Sequence, residues 1–590
     1  MSLELLKKLN LILGKTQKIK MVGLMAMILI GGLLETAAVS LLVPVVSAIM
    51  DEESFAVNPY VIKAMSILGL ENVKSLIMIL LFALGFMYIF KNAFLILLTY
   101  LQARFVFYNR SICTTNMLSI YLNRPYEFYL YAETSVIVQN LYNDMENSFS
   151  LLLQFMNLVA ELVVAICLSI FLLFIDPKLM LVVVALLGVI TFFIIKCIKP
   201  RLSNAGDAAR DSLASVYKWI LQPVTGIKDV KVYNKEQYFV KRFNKYANDY
   251  ATHLIKNNIF TSMPRLLIET VAIVGILAYV GFSMKIGIDS GTIVTLISAF
   301  ALAAMRLLPS VNRVNTFIAN IAYYEPALNN ISKVIDRDTK KAFELPLQIS
   351  EESEEKVAPF SIKKEVCLKN ISFAYPNTET KIFDGANMIV PVGKSVGVMG
   401  PSGSGKTTII DILLGLLHVQ EGRITCDDVD IFDNYSGWLS KVGYIPQSIY
   451  MLDASIRENI AFGVPADKID DDRVWKVLEQ AQMKEFVEAQ PDGLHSQIGE
   501  SGVRISGGQR QRLGIARALY HDPELLVFDE ATSALDNDTE TAIMEAVDAL
   551  HGQKTLVIIA HRLRTIENCD IIYEVKDGQI SKIKSDIKGN

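Results

Sequence analysis

Apolar and polar stretches alternate in long blocks over the first half of the chain. The apolar runs fall at 21–50, 77–109, 149–175, 178–197, 260–284 and 291–321. A hydrocarbon core roughly 30 Å thick needs about 20 apolar helical residues. The pattern therefore predicts a polytopic α-helical membrane domain of six spans. The segments after the second and fourth runs are long, polar and helical in pattern, whereas those after the first, third and fifth are short. In the first short loop, Tyr60, Val61, Ala64, Met65 and Leu68 form a helical stripe in a segment too short to span. From Lys364 onward the period changes. The runs Val396–Met399, Gly443–Ile445, Leu525–Phe528 and Thr555–Ile559 are short, β-rich and separated by helical patterns, which predicts an α/β domain. We read 1–325 as the membrane domain, 326–363 as a linker and 364–590 as the α/β domain. The run Glu351-Glu352-Ser353-Glu354-Glu355 is a solvated connector within that linker.

Charge orients this plan. Lys7, Lys8, Lys15, Lys18 and Lys20 precede the first run, and Arg104, Arg110, Arg124, Lys199, Arg201, Arg210, Lys228, Lys231 and Lys235 populate the long loops. The first short loop opens Asp51-Glu52-Glu53. Both termini and the long loops are thus expected in the cytoplasm. Composition agrees, with 52% hydrophobic and 20% charged residues and a mean hydropathy of +0.35. The net charge of −4 gives no reason to expect a nucleic-acid partner. Cys113, Cys167, Cys197, Cys367, Cys426 and Cys569 are scattered, which excludes a zinc framework and reads as reduced thiols. The first apolar run is too long for a cleavable signal segment.

The chemistry is concentrated in the C-terminal part. Gly400-Pro401-Ser402-Gly403-Ser404-Gly405-Lys406-Thr407, followed by Thr408, lies between a predicted strand and a predicted helix. This is a phosphate loop. Its glycines let backbone N–H groups converge on phosphate oxygens, Lys406 adds a point charge, and the Thr407 hydroxyl is placed for Mg²⁺. The buried run Leu525–Phe528 ends in Asp529-Glu530, a Walker B pattern. Asp529 can hold the Mg²⁺ shell, and Glu530 can orient and polarise an attacking water. Ser506-Gly507-Gly508-Gln509 opens a helix and offers an anion site, with an ordinary capped turn as the bland alternative.

These residues resemble the ATPase domain of ABC transporters. Ser506–Gln509 is similar to that family's signature sequence, with Ile505 where Leu is more usual. Tyr375, 25 residues before Gly400, resembles the aromatic that stacks on adenine. Gln447 resembles the glutamine that touches Mg²⁺ and the membrane domain. Ser533-Ala534-Leu535-Asp536 resembles the D-loop, and His561 resembles the switch histidine that contacts the γ-phosphate. The whole chain looks like an ABC half-exporter of the type IV fold. The resemblance implies ATP and Mg²⁺ as cofactors, ATP hydrolysis coupled to transport, and two ATP sites closed between two such chains, most simply a homodimer. It also implies coupling helices in the long loops, for which Ser135–Asn147 and Gly226–Glu236 are candidates.

Ionisable residues inside spans are functional suspects. Lys91, Arg265 and Arg306 lie roughly 21–27 Å from the outer ends of their helices, and Arg313 shares a face with Arg306 nearer the cytoplasm. They form a basic belt suited to a phosphate or pyrophosphate. Glu35, Glu161 and Glu269 fall at similar depth, so internal neutralisation is the competing reading. Pro264-Arg265, Arg306-Leu307-Leu308-Pro309-Ser310-Val311-Asn312-Arg313 and Leu34-Glu35-Thr36 look like the membrane half of bacterial lipid-linked oligosaccharide flippases of the PglK type. That resemblance implies a polyprenyl-pyrophosphate oligosaccharide substrate, membrane lipids as partners, and a multi-pass protein of the bacterial inner (cytoplasmic) membrane with its ATPase domain in the cytoplasm. Rival expectations are an exporter of lipids or drugs and an ATP-gated channel or regulator. A peptide-processing exporter is disfavoured, because only about 20 residues precede the first span, too few for a protease domain.

Overall fold

The computed structural model describes residues 3–50, 59–70, 72–175, 192, 194–286, 290–335, 360–376, 378, 380–499, 502–529, 545, 547–559 and 566–585. The chain divides into two compact units, one of residues 1–124 and 131–350, the other of residues 125–130 and 351–590.

The first unit is helical throughout its described residues. A short α1 (Leu3–Ile12) leads into α2 (Lys15–Met50), and α3 (Pro59–Leu68) is the short helix that the apolar stripe predicts. Then come α4 (Val73–Leu122), α5 (Met145–Ile175), α6 (Lys199–Thr225), α7 (Glu236–Ile286) and α8 (Ser290–Val334). Most of the predicted fourth span, 178–197, lies outside the described residues, and its end is a π-helical turn at Ile194–Ile198 that feeds α6. Asn72 caps α4 by accepting from Lys74 N. With 50 residues α4 is about 75 Å long, far more than the hydrocarbon core requires. It therefore continues well beyond the membrane. Phe82, Phe86 and Ile89 on α4 are more than 70% exposed, as lipid-facing side chains should be.

Close approach and a buried polar network hold the helical extensions together. A Cβ on Gly206 of α6 would lie 2.3 Å from the Tyr323 carbonyl oxygen of α8, so only glycine lets these helices meet there. Nearby, Asp144, 1% exposed, accepts from Arg210 Nε at 2.9 Å and from Asn330 Nδ2 at 2.7 Å. Asn140 Oδ1 accepts from Asn330 and from Arg210, while its Nδ2 donates to the Tyr121 hydroxyl at 2.8 Å. Asn140–Asp144 is a single π-helical turn, and such bulges tend to sit at functional positions. The network ties α4, α6 and α8 to that turn.

The second unit carries two sheets. The four-stranded antiparallel sheet has the order β2 (Phe383–Pro391), β1 (Glu365–Phe373), β4 (Glu421–Cys426), β5 (Val429–Asp430). The six-stranded sheet has the order β10 (Gln579–Ser585), β9 (Ile571–Lys576), β3 (Ser395–Met399), β8 (Thr555–Ile559), β7 (Leu525–Asp529), β6 (Val442–Ile445). All four strands read from the sequence fall in this sheet, and β9, β3, β8, β7 and β6 run parallel. Buried faces of both sheets share one core with α9 (Lys406–Leu413), in which Phe373, Phe383, Ile410 and Trp438 are at most 2% exposed. A second core packs α10 (Asp471–Gln480) and α11 (Gly507–Tyr520) against the other face. Asp570 ties β9 to β3. Its carboxylate accepts from Ser395 N at 2.9 Å and lies 3.1 Å from His551 Nε2.

Removing Asp144 takes an acceptor from a partly buried guanidinium and from the Asn330 amide. We expect Asp144→Ala to lower the stability of the full-length protein by about 2–3 kcal/mol, below the range for a fully buried pair because Arg210 is 23% exposed. Asp144→Asn, which keeps an acceptor oxygen, should cost clearly less. Thermal unfolding of the detergent-purified protein reads both, and equal melting temperatures for Asp144→Ala and the parent would refute the clamp.

Candidate nucleotide site

Parallel strands emerge at a common edge, and the predicted site residues lie in the loops that leave it. Val398 pairs with Ile559, Asp529 with Ile559, and Ile445 with Phe528. The phosphate loop therefore follows β3, Gln447 follows β6, and Asp529 ends β7 at one edge of the sheet, the usual ligand crevice of an open α/β sheet.

The loop geometry is that of a phosphate cradle. Gly403 and Gly405 have φ of +80° and +101°, a region that side chains disfavour. A Cβ on Gly405 would also meet Ile382 Cγ2 at 2.8 Å. Gly405 caps α9, so the N-terminus of that helix faces the loop with its free N–H groups. Lys406, 5% exposed, donates to the carbonyls of Gly400 at 3.1 Å and Pro401 at 3.0 Å. Its ammonium thus sits over the loop, on the residues that would surround phosphate oxygens. Ser402 and Thr407 are exposed, and Thr408 is buried. The Thr408 hydroxyl lies 3.0 Å from the Tyr375 hydroxyl, and the Tyr375 ring packs edge-on to Phe373 at 5.2 Å. The predicted adenine-stacking tyrosine is therefore fixed beside the phosphate loop.

Asp529 is 5% exposed and accepts from the Tyr444 hydroxyl at 3.4 Å. A second carboxylate, Asp411, shares its field. Burial pushes the Asp411 carboxyl up to about 6, with the Asp529 charge adding to the effect. Burial, then the Asp529 and Asp411 charges, also push the Tyr444 phenol up. Buried Asp529 and half-buried Asp411, at the edge where Thr407 is exposed and the loop with Gln447 emerges, make an acidic recess that a divalent cation would relieve. The donor set fits Mg²⁺, which is commonly held by one or two carboxylates and completed by phosphate oxygens and water. Among the described residues no group of three His, Cys, Asp or Glu able to hold a metal ion is present.

Ser506 and Gln509 form a capping box at the start of α11. Gln509 N donates to Ser506 Oγ at 3.2 Å, and Ser506 N donates to Gln509 Oε1 at 2.8 Å. Ser506 and Gly507 are exposed while Gly508 is buried, so the helix start faces solvent and is already self-capped. Ile505 packs on the second core, as expected of a residue that packs and does not react. Glu530, Asp536 and His561 lie outside the described residues.

Two features of the site escaped the sequence reading. Asp411 stands one helical turn after Thr407 and resembles an ordinary solvated helix position. The other is Pro125–Leu130, which belongs to the second unit although the chain on either side of it belongs to the first. Its helix, Tyr126–Tyr129, is anchored by Glu127, which accepts from His418 N at 2.7 Å. Burial, then the charges of Asp411 and Tyr375, push the Tyr126 phenol up. Of the two segments expected to couple the halves, Ser135–Asn147 is tied within the first unit by Gln139, Asn140 and Asp144. The other, Gly226–Glu236, holds a short helix at Ile227–Val232. The polar break after Arg124, with Pro125, is the signal that could have shown that the chain changes unit there.

In the membrane half, Arg313 pairs with Glu161 at 2.6 Å. Lys91 is 9% exposed and lies 4.7 Å from the Tyr88 ring centroid. Arg265 is exposed, and nothing is described of the Arg306 side chain.

Residues 22–307 match the family model of the ABC transporter transmembrane region, and 383–533 match that of the ABC transporter. The chain is 31% identical to the ATP-dependent lipid A-core flippase of Sodalis glossinidius over 409 residues, 68% of this chain and 67% of that one. It is 32% identical to a multidrug resistance ABC transporter ATP-binding and permease protein of Lactococcus lactis over 385 residues, 64% of this chain and 62% of that one. The matched segment thus spans about two thirds of these relatives' length. A solved structure of a bacterial Atm1-family ABC exporter with ATP bound superposes with a TM-score of 0.74 at 20% identity, covering 96% of this chain and 95% of that one. This last likeness is one of fold.

Neutralising Asp411 removes a charge that the fold disfavours. Its carboxyl is raised in the folded state, so ionisation destabilises the fold as pH climbs from the ordinary carboxylate range through about 6. A shift of this size is worth at most about 3 kcal/mol, and solvent screening at a half-open site reduces that to about 1 kcal/mol. Asp411→Asn should therefore raise the melting temperature at pH 7.5 by roughly 2–4 °C without Mg-ATP. The gain should vanish near pH 4. A pH-independent difference would show that the carboxylate is not strained.

Proposed function

The chain belongs to the ABC transporters, and from that premise we propose that it is an ATP-driven exporter that hydrolyses ATP and flips an anionic amphipathic lipid across the membrane. The observation that carries the ATPase reading is the phosphate loop. Lys406 is folded over Gly400 and Pro401, at the sheet edge where Asp529 and Asp411 crowd each other. In this reading Mg-ATP supplies the phosphoryl group and its charge. Tyr375 stacks the base. Gly400, Ser402, Gly403, Gly405, Lys406 and Thr408 hold the phosphates. Thr407, Gln447 and Asp529 hold the metal. Glu530 would orient and polarise the attacking water, and His561 would contact the γ-phosphate. Ser506, Gly507, Gly508, Gln509 and Asp536 complete the site of a second copy, which makes the working unit a homodimer. The self-capped start of α11 would exchange its internal hydrogen bonds for phosphate oxygens when that copy closes. Pro125–Leu130, folded with the ATPase unit but covalently continuous with α4, would carry the motion to the membrane half.

For the substrate, we favour a polyprenyl-pyrophosphate oligosaccharide in a bacterial inner membrane. Lys91 supports this, being a buried cation in a span with no carboxylate ion pair among the described residues. Arg265, Arg306 and Arg313 are the further candidates, of which Arg313 would have to share its charge with Glu161. A second reading, export of other lipids or of drugs, is favoured by the activities that the relatives' names carry.

The deciding experiment reconstitutes the protein in vesicles and follows ATP hydrolysis and flipping together, with and without a short polyprenyl-pyrophosphate glycan. We expect ATP-dependent flipping, with Glu530→Gln reducing turnover by about 10²–10³ and abolishing transport. Steady turnover without flipping of this lipid would return the substrate to the lipid and drug classes. Absence of turnover in the parent protein would favour a gated channel or regulator. Neutralising Lys91, Arg265, Arg306 and Arg313 together should abolish flipping while leaving basal hydrolysis within about twofold. Intact flipping in that variant would refute the basic belt.

A further inference from the structure

A groove of about 990 Å³ lies between the first turns of α2 and the middle of α4. The α4 side is one helical face, Leu101, Arg104, Phe105, Tyr108 and Ile112, at the spacing of a single stripe. On the other side the wall begins with Gly14, just before α2, and continues along α2 through Lys15, Thr16 and Lys20 to Leu24 and Met27. Polarity is graded along it. Lys20 immediately precedes the apolar run that starts at Met21, so Lys15 and Lys20 stand at the headgroup level of the cytoplasmic leaflet, with Arg104 opposite. Leu24, Met27 and Leu101 extend the groove toward the hydrocarbon.

The charge in this groove has no answer within the two helices that form it. Lys15, Lys20 and Arg104 are exposed, and among the described residues no Asp or Glu lines the groove. Over its 50 residues α4 contains no carboxylate at all. The first acid on α2 is Glu35, about 22 Å along the helix from Lys20. The one basic residue of α4 with a described ion pair is Arg110, which reaches Glu146 at 3.6 Å and is not part of the groove. The start of α2 adds to the positive field. Its first-turn N–H groups lack intrahelical acceptors, and Gly14 N is held by Gln17 Oε1 at 2.7 Å. Size selects the ligand. A volume near 990 Å³ is at the upper end of the range for small-molecule sites, about 300–1,000 Å³, and far exceeds what a bare phosphate fills.

We propose that this groove binds one anionic glycerophospholipid of the cytoplasmic leaflet. Its phosphate lies among Lys15, Lys20, Arg104 and the N-terminus of α2, and its acyl chains run along Leu24, Met27 and Leu101. The site is separate from the basic belt and does not depend on what the protein transports. Basic recesses between spans on the cytoplasmic side suit such headgroups, and each Lys or Arg there strengthens binding about fivefold.

The test uses the full-length protein in detergent, titrated with phosphatidylglycerol and with phosphatidylcholine of the same chains, and read by native mass spectrometry. We expect one preferred phosphatidylglycerol per chain. The variant Lys15→Gln/Lys20→Gln/Arg104→Gln should weaken it by roughly 100-fold. The charge-keeping Lys15→Arg/Lys20→Arg/Arg104→Lys should bind like the parent, which separates lost charge from lost fold. Equal binding of the two lipids, or undiminished phosphatidylglycerol binding by the glutamine variant, overturns the proposal. So does displacement of the lipid by equimolar inorganic phosphate, which would mean an anion site without a lipid. Disulfide cross-linking of Thr16→Cys to Tyr108→Cys of a second copy would also overturn it, by making the groove an interface.

Discussion

Parallel pairing of strands buried on both faces is the constraint from which the nucleotide chemistry follows. Every residue of β7 and β8 is buried, as are all but the last of β3. Such strands have no solvent face to slip onto, so their register is fixed by packing on both sides. A shift of one residue would move Asp529 about 3.3 Å along the sheet and turn it to the opposite face. The phosphate loop, the acid at the end of β7 and Gln447 after β6 hold their relation because the hydrophobic core allows no other arrangement. The strain at Asp411 and Asp529 is a consequence: the core delivers two carboxylates to one recess, and the charge is left for a cation to settle.

The helical half solves a different problem, since charges within spans must be paired, hydrated or used. Arg313 is paired, with Glu161. Lys91 leans on an aromatic face instead of a carboxylate, an arrangement that leaves its charge available. Outside the membrane the same half uses amides and one ion pair, with Asn140, Asn330, Asp144 and Arg210 satisfying one another. A fully bonded polar network of this kind fixes one arrangement of helices, where apolar packing alone tolerates several.

The legible parts of the fold were those written in local pattern. The four central strands were readable because short β-branched runs end at turn residues, and the phosphate loop because its spacing is nearly unique. The helix at Pro59–Leu68 was readable from its stripe. The antiparallel sheet was not read, although β2 alternates in burial, because β1 is buried at most positions and imitates a central strand. Asp411 could not be read, since its neighbour Asp529 is brought to it only by the packing of α9 on the sheet. Depth along the helices put Glu161 beside the arginines, but the choice of Arg313 as its partner required the rotation of α5 against α8. The home of Pro125–Leu130 is a tertiary fact, because six residues carry too little pattern to announce which core they join.

That segment also sets a schedule for biosynthesis. Glu127 and His418 are separated by 291 positions. At synthesis rates of about 5–20 residues per second, Glu127 leaves the ribosome about 15–60 s before the backbone amide it will grip. The first helices are thus threaded and packed while one of their connections still lacks its socket. Until the ATPase unit has been made, Tyr126 and its neighbours form a short aromatic-rich segment without the core it will join.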